Sequence, residues 1–368
     1  MELRKGFDNS ILLLSVVLTC LGVVMVYSAS SIMAEKRYAD GFFFLKRQGG
    51  FALIGFIIMA VVAQIDYRHY RKVAALFFIA SIGMLIAVLI PGVGTKISGA
   101  ARWIRLPGFN IQPAELVKVT LVIFMAHSLS KKGERVREFL HGLLPYLLIL
   151  LLLVLLLLGQ PDLGSALTVV SVALVMLVVA GSRIRYMIVL ALGALPALYF
   201  LVMNVDYRRR RIMAFLDPWD DPTNSGFQII QSWIAFGSGG VIGNGLGESK
   251  QKLFYLPEAH TDFIFSVIGE ELGFVGVFVI SSMFMLLIWR GMRTALASTD
   301  PFGKNLAFGI SLMLGLEAFI NIAVVLGMLP TKGMALPFLS YGGTSLLVTL
   351  ISIGILLNIS SQLPEDSR

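Results

Sequence analysis

The chain has 368 residues, of which 57% are hydrophobic and only 14% are charged, against about 45–50% and about 25% in soluble globular proteins. A soluble fold of this composition would lack the polar side chains to cover its surface, so soluble-enzyme classes are excluded. The net charge of +8 does not point to nucleic acid, because the basic residues lie between apolar runs, where membrane topology and anionic lipid account for them.

Uncharged apolar runs of 16 to 20 residues recur along the whole chain, and runs of that length are candidate membrane spans. The expected fold class is all-α, a polytopic membrane protein forming one domain over residues 1–368. Arg4 and Lys5 precede the first run, and Ser28-Ala29-Ser30 looks like a cleavage site. That run exceeds the roughly 7–15 residues of a signal-peptide core, so it reads as an uncleaved span. Ten spans are expected, near 10–29, 50–65, 73–90, 114–130, 143–158, 163–180, 186–203, 264–289, 306–327 and 342–360. An even number leaves both termini on one side. With both termini cytoplasmic, the inner connections 66–72, 131–142, 181–185 and 290–305 carry Lys and Arg at about threefold the density of the outer ones, as the positive-inside rule requires.

The connection 204–263, between helices 7 and 8, is the large extracytoplasmic loop, far longer than an ordinary turn. It opens with Arg208, Arg209, Arg210 and Arg211, either a lipid-headgroup contact or a docking site for an anion such as pyrophosphate. DPWDDP (217–222) is turn-rich, and the amphipathic stretch 226–236 is expected to lie in the membrane interface. The glycine-dense stretch 237–247 matches neither phosphate-loop spacing, and its glycines read as permitting tight turns.

Ionisable side chains at membrane depth are site candidates by default. Glu115 and Lys118 are three apart on one helical face, either a neutralising pair or part of a cavity. Glu317 and Asn321 are four apart, positioned to hydrogen-bond across helices. Asp162 and Asp262 suit helix N-caps. Glu270 and Glu271 suit a first helical turn, favoured by the dipole. Cys20 is the single cysteine and the four histidines share no close spacing, so neither a disulfide nor a Cys/His metal cluster is expected.

Four blocks in fixed order carry a more specific signal: SGAARWIRLPGFNIQPAELVK (98–118), QPDLGS (160–165), the stretch 215–273 containing QKLFYLPEAHTDFIF, and NIAVVLGMLPTKGMALPFLSYGGTSLL (321–347). Together they resemble the SEDS family (shape, elongation, division and sporulation), which includes FtsW, RodA and SpoVE, and the wording is most similar to the division branch. The sequence departs from the family pattern at Ala114, where Ser is usual, at Ser98, where Asn is frequent, and at Met334-Ala335-Leu336, where Leu-Pro-Leu is common.

The resemblance implies a peptidoglycan glycosyltransferase that polymerises lipid II at the outer face of the bacterial cytoplasmic membrane. It implies a class B penicillin-binding protein and other division proteins as partners, and a location at the septum. It makes Asp262 the essential aspartate and places Glu115 and Lys118 in a polar cavity. Arg102, Trp103, Gln112, Asp162, Glu258, His260, Lys332 and Ser340 belong to the same blocks and are expected to bind substrate or line that cavity. A sugar hydroxyl is a poor nucleophile, so a carboxylate in contact with it is the natural base. The departing pyrophosphate needs a cation, which Lys118, Arg102, Arg208–Arg211 or a divalent metal (Mg2+ or Mn2+) would supply. No other cofactor is called for. An α-linked donor giving a β-1,4 glycan means inversion in one displacement. A lipid II flippase and a non-catalytic scaffold are the alternative readings.

Overall fold

The computed structural model of the chain describes residues 6–97, 100–106, 109–252 and 256–363. Residues 98–99, 107–108 and 253–255 of the blocks above lie outside them. The elements run α1 (Asn9–Tyr38), α2 (Phe43–Gln64), α3 (Arg68–Leu89), β1 (Gly94–Ile97), β2 (Ala100–Leu106), β3 (Phe109–Ile111), α4 (Pro113–Lys132), α5 (Leu144–Gly159), α6 (Leu163–Val179), α7 (Ile184–Met203), α8 (Asp206–Leu216), α9 (Phe227–Gly239), α10 (Ile264–Ala297), α11 (Pro301–Val325) and α12 (Gly343–Ser361). Among the described residues, eight helical segments are long and apolar enough to cross a membrane, and α6 is apolar but has only 17 residues. These eight, with α6 and the 20-residue α7, overlap the ten stretches expected as spans.

Their limits differ from the apolar runs because helix formation continues where hydrophobicity stops. Asp8 caps α1 by accepting the Ser10 and Ile11 N–H groups, and α1 runs on through Lys36 and Arg37. Likewise α2 starts at Phe43, seven residues ahead of the expected 50, and carries Lys46 and Arg47 in its first turns. A bilayer cannot hydrogen-bond the backbone, so helices that pair their own amide groups are the stable spanning form. On α7 the side chains of Leu192, Leu195, Tyr199 and Phe200 are exposed, which in a membrane is a lipid-facing surface.

Hydrogen bonds join connections at each end of the bundle. At one end Gln48 donates to Ser340 O, Arg102 to Gln160 O, and Arg211 to Thr331 O. At the other, Arg290 meets Asp8 at 2.6 Å, and Tyr67 N donates to Asn358. The first group belongs to the expected outer connections and the second to the expected inner ones and the N-terminal segment.

Two features at the first of these ends go beyond the sequence reading. The connection 91–113 holds a three-stranded antiparallel sheet in the order β1-β2-β3, with Thr95 opposite Trp103 and Arg105 opposite Asn110. And the amphipathic stretch forms α9. It packs on α10 with Ile229, Ile230 and Ala235 buried. Ser232 pairs with Ser266 at 2.8 Å, and the Trp233 indole donates to Leu326 O at 3.1 Å. Its amphipathic pattern is that of a helix docked on protein, with Trp233 and Ile234 left exposed.

The glycine-dense stretch has a structural role. α10 is broken at Gly273 (φ 64, ψ −165). The groups freed by the break are taken up by the adjoining loop: Phe274 N donates to Gly240 O and Val275 N to Val241 O, while Asn244 N and Gly245 N donate to Glu270 O and Glu271 O. A helix break is tolerated near a membrane when neighbouring groups re-satisfy the backbone. Glu270 and Glu271 therefore lie just before a break, beyond the first turn expected for them. Their carboxylates are buried and hold the same loop. Glu270 accepts from Lys250 N at 3.0 Å, and Glu271 accepts from the Ser28 hydroxyl at 2.6 Å and pairs with Lys252.

A Cβ on Gly273 would lie 2.3 Å from Gly243 N, at a φ that L-residues rarely adopt. Gly273→Ala is therefore expected to cost at least the roughly 1–3 kcal/mol of a strained backbone. Gly83→Ala, in open space on α3, is expected to be neutral or to gain about 0.5–1 kcal/mol. Thermal unfolding in detergent checks both.

Candidate active site

The deepest part of the site is an ion triad. Gln112 precedes α4 in extended conformation, Pro113 occupies its first turn, and Glu115 follows in that turn, where the helix dipole favours a carboxylate. One turn further, Lys118 Nζ lies 2.8 Å from Glu115 Oε1 and also pairs with Glu317 of α11. All three side chains are buried. The Glu115–Lys118 pair is as expected. Glu317 is a third member that the expected site omitted. Its acidic character at membrane depth, one turn from Asn321, was the available signal.

Above the triad, residues 260–262 run as a clamped segment. Three successive carbonyls are each held from the 321–341 region: His260 O accepts from Tyr341 N at 2.9 Å, Thr261 O from the Ser340 hydroxyl at 2.6 Å, and Asp262 O from Asn321 Nδ2 at 2.9 Å. Ser340 is fixed in turn, accepting from Leu336 N and, through its carbonyl, from buried Gln48. The carboxylate of Asp262 lies against Gly333, where a Cβ would come within 2.8 Å of Oδ2. Asp262 is not a helix N-cap: α10 starts after Phe263, with no side-chain cap. Its carboxyl is pushed up to about 7, chiefly by burial and then by the charge of Glu258; Arg211 and Arg102 oppose the shift and Asp162 adds to it.

Cations approach from three connections. Arg211 donates to Thr331 O at 3.0 Å, and Arg102 donates to the carbonyls of Gln160 and Pro161. Lys332 lays its stem against Gly164, beside Asp162. Its Nζ is buried without a hydrogen-bond partner. Burial brings the ammonium down to about 8, with Asp162 opposing and Lys118 assisting.

The remaining expected residues divide clearly. Asp162 is the N-cap of α6, accepting from Ser165 N and Oγ at 3.0 and 2.8 Å. His260 packs between Phe44 and Tyr341, and burial holds its imidazole below the usual value against the pull of Glu258. Glu258 is exposed at φ 57 and accepts from the Thr261 hydroxyl. Gln112 joins the site through its backbone, donating to Thr344. Trp103 sits in the sheet opposite Thr95. Of the arginine run, Arg211 reaches the site, Arg208 is half-buried, and Arg209 and Arg210 are exposed.

No group of three or more His, Cys, Asp or Glu suited to a metal ion occurs among the described residues. The charges that lower the Asp262 carboxyl come from Arg211 and Arg102. Glu258 and Asp162 act on the same carboxyl in the opposite sense, so Asp262 stands among charges of both signs.

Fold and site together define a polytopic helical membrane protein, one end of which brings a buried carboxyl near charged groups of both signs. The chain belongs to the FtsW/RodA/SpoVE family: its family model, described as "Cell cycle protein", matches residues 8–365. It is 61% identical over 98% of its length to a Geobacter sulfurreducens protein named "Probable peptidoglycan glycosyltransferase FtsW", covering 96% of that protein. It is 44% identical to Stage V sporulation protein E of Bacillus subtilis over 96% of each chain. Among solved structures it resembles a chain of a peptidoglycan synthase complex that coordinates polymerization and crosslinking, with a TM-score of 0.79 at 33% identity, covering 96% of this chain and 97% of that one. It also resembles the rod shape determining protein RodA of Thermus thermophilus, with a TM-score of 0.72 at 29% identity, covering 98% of each chain.

Removing one member of a buried ion cluster leaves uncompensated charge. Lys118→Met is expected to destabilise the fold by about 3–5 kcal/mol. Adding Glu115→Gln and Glu317→Gln to it is expected to recover most of that loss, and thermal unfolding of single and triple variants in detergent checks the order.

Proposed function

We infer that this chain is a peptidoglycan glycosyltransferase that polymerises lipid II into β-1,4 glycan strands, with Asp262 as the base. The observation that carries this reading is the Asp262 carboxylate, half-buried on a clamped backbone, with Arg211 and Arg102 near enough to act on its charge. The acceptor 4-hydroxyl of one lipid II gives its proton to the Asp262 carboxylate as its oxygen bonds to C1 of the donor sugar. The C1–oxygen bond to undecaprenyl pyrophosphate breaks, and its electron pair leaves with the pyrophosphate. Inversion at C1 needs no covalent sugar–enzyme intermediate. Arg211, Arg102 and Lys332 face the developing negative charge. On this reading Glu115 and Lys118 belong to the polar cavity that the family resemblance implies.

This reading places the ten long helices across the cytoplasmic membrane, both termini in the cytoplasm, and a class B penicillin-binding protein beside the chain at the division septum. A base that titrates near neutrality is matched to its task. The sign follows from the direction of the shift. The Asp262 carboxyl, raised to about 7, is inactive as a base when protonated, so polymerisation is expected to rise with pH through about 7. The fold favours the protonated form, so this group's contribution to stability falls as pH rises from about 4, its unfolded value, through 7. Asp262→Asn should therefore unfold at no lower temperature than wild type above pH 7.

The test is lipid II polymerisation in proteoliposomes, with and without a cognate class B penicillin-binding protein. Wild type is expected to give glycan ladders and Asp262→Asn to lose on the order of 10²–10⁴-fold in rate. Full activity in the folded variant would sink the assignment. Trans-bilayer movement of labelled lipid II without polymer would favour the flippase.

A further inference from the structure

We infer that Asn321 is a positioning residue for this reaction, one that touches no reacting atom and sets where Asp262 sits. This rests on the reading of Asp262 as the base. Asn321 is 2% exposed and lies on α11, one turn beyond Glu317. Its side-chain amide has two N–H donors, and both are used: Nδ2 donates to Asp262 O at 2.9 Å and to Met334 O at 2.6 Å. Those carbonyls belong to different connections. One carries the carboxylate. The other carries Lys332 and Gly333, the cation beside Asp162 and the glycine against which the carboxylate rests.

The amide orientation is dictated by its surroundings. Turned over, it would set its oxygen against two carbonyl oxygens. As it stands, Oδ1 is buried without a partner, a cost that persists only where the geometry demands it. A single side chain thus ties the base to the loop that supplies its neighbours. The same helix, one turn away, holds Lys118 through Glu317. α11 thereby joins the intramembrane triad to the outer reacting segment.

Release of the two carbonyls would let residues 260–262 drift and let water reach the carboxylate. A misplacement of about 1 Å costs on the order of 10²-fold in rate. Asn321→Ala is accordingly expected to lower kcat by about 10–100-fold with KM for lipid II nearly unchanged. The charged groups acting on Asp262 are Glu258, Arg211, Arg102 and Asp162, and all remain in the variant. A change in the pH midpoint therefore reports solvent access, and the expected direction is downward from about 7 as burial is relieved. Ser340→Ala, which frees the neighbouring Thr261 carbonyl, is expected to shift the midpoint the same way and carries the test if Asn321→Ala does not fold.

Asn358 supplies the control. It is an equally buried asparagine on α12 that bonds Ala63 O and Tyr67 N, each at 2.8 Å, at the opposite end of the bundle. Asn358→Ala is expected to lower the unfolding temperature without moving the pH midpoint. The experiment measures kcat, KM, pH profile and unfolding temperature for all three variants and for Asp262→Asn, in the same proteoliposomes. A folded Asn321→Ala with wild-type kcat and midpoint, beside an inactive Asp262→Asn, would overturn this inference alone. An equal midpoint shift in Asn358→Ala would also overturn it. An active Asp262→Asn would overturn the reading on which it rests.

Discussion

Lys118 is shared between Glu115 of its own helix and Glu317 of α11, and the site is built upward from that contact. A lone ammonium at this depth would be expelled or neutralised. Two carboxylates keep it charged and fix α4 against α11. The fixed helix α11 then presents Asn321 one turn higher, and Asn321 holds the carbonyl of Asp262. The chain of causes runs from one buried charge to the placement of the Asp262 carboxylate at one end of the bundle.

The same demand for partners explains the outer architecture. A broken helix leaves four backbone groups without their usual mates, and the loop 240–245 supplies all four. Only glycine meets the geometry at this crossing, where a Cβ on Gly273 would strike the backbone of Gly243 and one on Gly243 the backbone of Glu271 and Leu272. Buried Glu270 and Glu271 then fasten the following residues, 249–252, to α10. Residues 240–245 and 249–252 are thereby held on α10, and α9 is tied by Ser232 to Ser266 and by Trp233 to Leu326 O.

The proposed reaction sets two opposed requirements. The base it assigns needs an elevated pKa, which burial and Glu258 provide. The pyrophosphate leaving group it assigns needs cations close by, and Arg211 and Arg102 pull the same carboxyl down. The outcome near 7 reflects burial prevailing over the cations. Lys332, held beside Asp162 with its own ammonium weakened by burial to about 8, adds a charge without a hydrogen bond that would have to be broken when a ligand arrives.

The helical class, the positions of the long helices and the blocks carrying Asp262, Lys118 and Arg102 were legible in the chain itself, because bilayer thickness demands long uncharged runs and charge at membrane depth is rare. The N-cap role of Asp162 was legible for a similarly local reason, a carboxylate three residues ahead of an N–H it can accept. What one dimension does not carry is which side chains meet across helices. Glu317 joining Lys118, Asn321 holding Asp262, Gln48 holding Ser340, and Arg211 donating to Thr331 O all link residues distant in the chain. The break at Gly273 and the sheet at 94–111 depend likewise on backbone partners supplied by distant or irregular segments. Local composition determined where the chain enters the membrane, because that is decided segment by segment against lipid. Only the tertiary structure decided which polar groups pair, because a buried group takes its partner from whatever the packing of other helices brings within hydrogen-bond reach.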